Sequence, residues 1–367
     1  MRQGTSLSAE PGEAVAELRA ALDQPGMQAV LLFCSPSYDL GRLGAAIREA
    51  FACPVIACTS AGQIGPTGYQ RGGITGASLA GETIRAHPYL IAPLSECRER
   101  VVKVAAQVRS RMEALAPERQ GFGLLLVDGL ALAEEGLAAT LYQSIGNVPI
   151  VGGSAGDDLK FEHTAVYWDG EFLSGAAVFT LFETSLPFAT FKLQHFRPTE
   201  KRLVITAADT ARRVVKEING LPAADAYSEL VGIPVERFDA NVFSKNPVML
   251  RIGTDYYVRS IAQVNPDRSM TFFCAIDEGL VLRLGECVDP MATLEEGFRD
   301  ATAAVGTPSI VIGCDCILRR LDLEQRHQDG RAGAILSTNK VIGFSTFGEQ
   351  FNGVHVNQTF TGIALGQ

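Results

Sequence analysis

The chain has 367 residues, is 47% hydrophobic and 20% charged, and carries a formal net charge of -9. That length and balance suit a globular protein of two or three domains, and an acidic chain with no run of Lys and Arg is a poor candidate for a nucleic-acid backbone. Its apolar runs all fall short of the about 18 residues a membrane span needs, and its eight cysteines include no C-x-x-C pair.

The opening stretch MRQGTSLSAEPGEA is polar and has no apolar h-region. Neither a signal peptide nor an anchor is expected there, so the cytoplasm is the expected compartment and the cysteines should be reduced. Residues 1–20 read as a polar lead-in with a first helix. AVLLFC, ending at Cys34, reads as a fully buried strand. A helix follows, with Leu40, Leu43, Ile47 and Phe51 at helical spacing, and then the strand PVIAC. A turn is expected at Ala80-Gly81 and a loop at Pro117–Gly121. GLLLVD is the next strand. Its helix carries Leu137, Leu141 and Ile145, has Glu134 and Glu135 in the first turn, and stops at Gly146-Asn147. VPIVG follows, and Asp169-Gly170 predicts a type I′ hairpin. From about 187 to 290 the pattern is less regular, with strands near FATFKLQHF, RLVITAA and MTFFCAI and a helix over Asp209–Ile218. A second helix is predicted over Met291–Val305. SIVIGCD, a helix with Ile317, Leu318 and Leu321, and KVIGFS complete the order.

The chain repeats itself. With Gly62 aligned on Gly348, Val55, Ile56, Thr59 and Ser60 match Val341, Ile342, Ser345 and Thr346. Thirteen residues after each glycine stands a Thr-Gly, Thr75-Gly76 and Thr361-Gly362. Gly156, in GGSAG, gives a third and looser copy. Each copy reads as strand, helix, strand, glycine turn and return strand. The expected class is therefore α/β, with mixed β-sheets, flanking helices and parallel β-α-β crossovers.

Seven residues beyond the glycines stand Tyr69, His163 and His355. All three types hydrogen-bond, titrate or ligate metals, and ligands of α/β sheets bind beyond the carboxyl ends of strands. His355 is flanked by Phe347, Phe351, Val354, Val356 and Phe360. A neutral imidazole in apolar surroundings suits an axial haem ligand, with Asn357 placed to orient the ring or a bound gas; the same residues also suit plain core. Cys314 and Cys316 form a C-D-C that would serve a metal or a redox pair, and Cys34 and Cys58 sit at strand ends where a nucleophile could stand. No P-loop, H-E-x-x-H, G-x-S-x-G or strand-following G-x-G-x-x-G motif is present.

The stretch FCSPSYDLGRLGAAIREAFACPVIACTSAGQIGPTGYQRGGITGASL resembles the N-terminal FIST domain, GGSAGDDLKFEHTAVYWDG fits its later part, and GFSTFGEQFNGVHVNQTFTGIAL resembles the end of the C-terminal FIST domain. The resemblance implies FIST N over 21–190 and FIST C over 191–367, and a sensory rather than catalytic role. DCILRR and GEQFNGVHVNQTFTG are similar to the haem-binding nitric-oxide sensors of the NosP group. That similarity implies haem b, nitric oxide as signal, and regulation of a partner histidine kinase or cyclic-di-GMP synthase or phosphodiesterase, with a homo-oligomer possible. On this reading His355 is the iron ligand, and His163, Tyr69, Phe351, Asn357, Gly348 and Gly62 frame the site. The alternative is a metal-free FIST sensor for a small metabolite such as an amino acid.

Overall fold

Each predicted strand–helix–strand unit gains a strand and a helix in front of it, so that the chain folds as three like modules. The computed structural model describes all residues, 1–367. The first module is β1 (Arg2–Ser6), α1 (Pro11–Leu22), β2 (Met27–Cys34), α2 (Leu40–Ala50), β3 (Val55–Thr59), β4 (Gln63–Gly65), β5 (Gly68–Gln70) and β6 (Ile74–Ala80). The second is β7 (Ile84–Ile91), α3 (Cys97–Glu113), β8 (Gln120–Val127), α4 (Glu134–Ile145), β9 (Ile150–Ser154), β10 (Val166–Trp168), β11 (Glu171–Leu173) and β12 (Ala177–Thr184).

The third module opens with β13 (Phe188–Gln194) and is then interrupted by an inserted domain. This comprises β14 (Phe196–Asp209), β15 (Val214–Ile218), β16 (Leu221–Pro222), α5 (Ala223–Val231), α6 (Ala240–Lys245), β17 (Val248–Ile252), β18 (Asp255–Arg259), β19 (Ile261–Val264), β20 (Met270–Phe272) and β21 (Val281–Cys287). The module resumes with α7 (Pro290–Val305), β22 (Ile310–Cys316), α8 (Ile317–Gln325), α9 (Asp329–Thr338), β23 (Val341–Thr346), β24 (Glu349–Phe351), β25 (Val354–Val356) and β26 (Thr359–Leu365). The expected division at 190/191 falls inside β13.

Three six-stranded sheets share one order: lead-in strand, return strand, two parallel strands, then a hairpin. The crossovers β2–β3, β8–β9 and β22–β23 are parallel, as the repeats predict. The hairpin, however, always comes from another module. The β4–β5 hairpin of the first module pairs with β23 of the third. The β24–β25 hairpin of the third pairs with β9 of the second, and β10–β11 of the second pairs with β3 of the first. The exchange is cyclic, so no module is complete without the other two.

Continuous apolar strands follow from this arrangement, because each sheet is buried on both faces. Along β2, Leu31 and Phe33 face a shared central core while Val30, Leu32 and Cys34 face α1 and α2. Leu124 and Leu126 of β8 and Ile310 and Ile312 of β22 join the same centre. Phe33 stacks on Phe344 there at 4.6 Å between ring centroids. The inserted domain has a separate core built around Leu203, Ile205, Tyr227, Phe243 and Met270. No helix is long and apolar enough to cross a membrane.

Asp169 and Gly170 both adopt positive φ between β10 and β11, as the type I′ turn requires. The helix predicted over Met291–Val305 is α7. The helix predicted over Asp209–Ile218 is absent. Asp209 ends β14, Arg213 turns with φ 55°, and Val214–Ile218 is a strand. Its alternation is hidden because the β14–β15 ladder shifts register twice, which breaks the period of two.

Candidate functional site

The glycine turns meet where the parallel strands end. Ala61 N–H donates to Ser345 O at 2.9 Å, Phe347 N–H to Ser154 O at 3.1 Å, and Gly156 N–H to Thr59 O at 3.2 Å. This ring of backbone bonds joins all three modules. Gly62, with φ 131°, leaves room for the Arg320 guanidinium, which donates through Nη1 to Gln70 O at 3.1 Å. Gly348 lies against the His355 ring, and a methyl group placed there would stand 2.7 Å from Nε2.

Tyr69 and His355 occupy matching places. Tyr69 pairs with Ile64 across the first hairpin and His355 with Gln350 across the third. His163 has no such place. Between Gly156 and β10 the second module carries an extra loop, whose Asp157 carboxylate accepts the N–H groups of Phe161, Glu162 and His163. His163 is exposed there, with Ser174 Oγ 3.3 Å from its ring.

Tyr69 is half-buried and leans on a buried ion pair. Its hydroxyl donates to Asp315, and Arg319 Nη1 donates to Asp315 Oδ1 at 2.9 Å and Oδ2 at 3.1 Å. Arg320 lies over the phenol ring at 4.9 Å. Burial first, and then the charge of Asp315, push the Tyr69 hydroxyl well above its ordinary pKa.

His355 faces the inserted domain instead. Gln350 Nε2 lies 3.2 Å from its Nδ1, which places the ring proton on Nε2. Burial lowers its pKa to about 4, so the ring is neutral at physiological pH. Arg259 Nη1 donates to the His355 carbonyl at 2.8 Å, and Ser260 N–H donates to Asn357 Oδ1 at 3.2 Å. Arg213 closes the far side. Its Nη1 donates to Phe273 O at 2.7 Å and its Nη2 to both Glu134 and Glu135 at 2.7 Å, while Ala275 N–H donates to Glu135. Burial acts to raise the Glu135 carboxyl, but Arg213 and the Ala275 N–H hold it below its ordinary value, with His355 adding to this only when its ring is charged.

This seam is rich in unsatisfied donors. His355 Nε2, Asn357 Nδ2, Ser260 Oγ and Arg259 Nε are buried and have no hydrogen-bond partner. Arg259 is 5% exposed and forms no ion pair. Cys274, close to it, is a neutral thiol whose pKa burial raises to about 11. A buried guanidinium without a counter-charge is costly. His355 Nε2 and Asn357 Nδ2 both border Gly348 and Arg259 donates to the His355 carbonyl, so the seam offers donors that suit an oxyanion such as a carboxylate.

The packing does not fit a haem. His355 is 1% exposed and its Nε2 edge abuts Gly348, which leaves that nitrogen no open face for an iron. Phe351 is half-buried and packs toward the central core.

The cysteines are all free. Cys34 and Cys58 are buried, and burial pushes Cys34 up to about 12 and Cys58 well above its usual value, so neither is an activated nucleophile. Cys314 and Cys316 are buried thiols raised in the same way by burial, with Glu349 as the next cause.

Glu135, Arg213, Arg259, Ser260 and Cys274 were beyond sequence reasoning, which gave only His355, Asn357 and Gly348 of this group. The acidic pair at the start of α4 was visible, but as a dipole match. Nothing local in YYVRSIA marks Arg259 as buried.

The FIST N domain model matches residues 28–221 and the FIST C domain model residues 223–352. The chain belongs to the FIST family. FIST domains are sensory domains of signalling proteins. The boundary between the two matches falls within the inserted domain. An uncharacterized protein of Methanocaldococcus jannaschii is 26% identical over 129 residues, which are 35% of this chain and 25% of that protein. The match thus spans about a quarter of that relative's length. Among solved structures, cyanuric acid hydrolase from A. caulinodans aligns over 100% of this FIST chain and 99% of its own, at 11% identity and a TM-score of 0.36. T. maritima PurL complexed with FGAR aligns over 72% of its chain at 9% identity and a TM-score of 0.21. At these scores neither bears on the chemistry of this FIST protein.

Proposed function

We propose that this FIST protein senses a small carboxylate-bearing metabolite of the amino-acid class. The ligand binds between the inserted domain and the β24–β25 hairpin. The observation that carries this reading is Arg259, a buried guanidinium without a carboxylate, beside three unsatisfied donors. A ligand carboxylate satisfies these groups, and ionised Glu135 across the seam suits its ammonium. The hairpin is held by β9 of the second module, so movement of the seam reaches the sheet of another module. A partner histidine kinase or cyclic-di-GMP synthase or phosphodiesterase then reads that change.

A thermal-shift screen of amino acids and simple carboxylates tests the proposal. A true ligand at a hundredfold excess over its Kd stabilises the chain by about 2.7 kcal/mol. Asn357→Ala should remove that shift. No response to any carboxylate would sink the reading. Haem reconstitution runs beside it: a Soret band that moves with nitric oxide and is lost in His355→Ala would replace the metabolite with haem b.

A further inference from the structure

A second cluster lies where the chain leaves the third module for the inserted domain and where it returns. His195 stands between β13 and β14, and Cys287 is the last residue of β21. Phe196 pairs with Cys287, and Val288 N–H donates to His195 O at 2.9 Å, so the two connections run side by side. Asp322 projects to them from α8. One ligand atom from each of His195, Cys287 and Asp322 lies within 4.8 Å of the others.

These groups are poorly satisfied by protein. His195 and Asp322 are each 1% exposed. Neither ring nitrogen of His195 has a hydrogen-bond partner, and Asp322 Oδ1 has none. His195 Nε2 stands 3.4 Å from Asp322 Oδ2 without hydrogen-bond geometry, while Arg326 Nε donates to that same oxygen at 2.9 Å. The imidazole ring packs on Phe196 at 4.5 Å, which fixes its plane. Cys287 is half-buried, and its thiol donates to Val288 O at 3.0 Å.

From this juxtaposition of His195, Cys287 and Asp322 we infer a binding site for a zinc-class divalent ion. Imidazole, thiolate and carboxylate are together the donor set of such ions rather than of magnesium or calcium. The three atoms need to close by about 1 Å to reach the spacing of a tetrahedral site. Binding converts the Cys287 thiol to thiolate and releases its proton to solvent. Asp322 Oδ1 is the free carboxylate lone pair, so Arg326 keeps its bond to Oδ2. A fourth position is left for water. The ion clips both connections of the inserted domain to α8, fixing the domain that supplies Arg213 and Arg259 to the ligand seam. The site stands on different residues from that seam, so either can fail alone.

The test uses the full chain, stripped with chelator and titrated with Zn²⁺ and Co²⁺, with Mg²⁺ as control. One equivalent of Zn²⁺ is expected, and the Co²⁺ protein should show a thiolate-to-cobalt band in the near ultraviolet. Cys287→Ser should abolish that band while near-ultraviolet circular dichroism keeps its wild-type shape. Asp322→Asn preserves size and polarity and should weaken Zn²⁺ by roughly tenfold or more. Failure to bind Zn²⁺ at micromolar free metal would overturn the site. So would a cobalt band that survives Cys287→Ser, or Zn²⁺ affinity unchanged in both variants.

Discussion

Asp315→Ala should lower the stability of the chain by about 3–5 kcal/mol in a urea titration, the cost of leaving a buried charge without its partner. Arg319 is 2% exposed, and Asp315 accepts from it through both carboxylate oxygens. The same carboxylate accepts the Tyr69 hydroxyl, so the substitution also strands a half-buried phenol. Because Tyr69 belongs to a hairpin of the first module while Asp315 and Arg319 belong to the third, the loss loosens an exchange between modules. A loss below about 1 kcal/mol, the level of an exposed ion pair, would show that this network is solvated and contradict the packing described.

Arg259→Met should do the opposite. Its guanidinium is buried like that of Arg319 but has no carboxylate to offset desolvation. Methionine keeps much of the length and removes the charge, so the ligand-free protein should gain about 1–3 kcal/mol, by analogy with apolar replacement of buried ionic groups. Ligand binding should be lost in the same variant. A residue whose removal raises stability and abolishes binding is conserving function at the expense of the fold. If Arg259→Met destabilises the unliganded chain by several kcal/mol, Arg259 is a structural residue and the seam needs another explanation.

Much of this fold was legible. Runs such as AVLLFC and SIVIGCD mark strands buried on both faces, and the repeated glycine turns mark the modules. The partner of each hairpin was not legible, because β4 pairs with β23 through contacts some 280 residues away in sequence, as Gly343 and Ile64 do. The count of seven from the glycine puts Tyr69 and His355 at the same hairpin register and has no counterpart at His163, where an added loop intervenes. The helix expected over Asp209–Ile218 failed because a bulged strand lacks the alternation that identifies strands. The site itself was half visible. Glycine, histidine and asparagine lie in one short stretch, but the arginines that give the seam its charge come from the inserted domain and become neighbours only on folding.

The protonation of His355 can be read from the imidazole nitrogens by ¹⁵N NMR, in a chain with only five histidines to assign. The metabolite-sensing account predicts a neutral ring with its proton on Nε2, charging only near or below about pH 4, whose Nε2 resonance shifts when a carboxylate ligand is added. An imidazolium above pH 6, or an Nε2 signal indifferent to every carboxylate that alters the thermal stability of the protein, would contradict it.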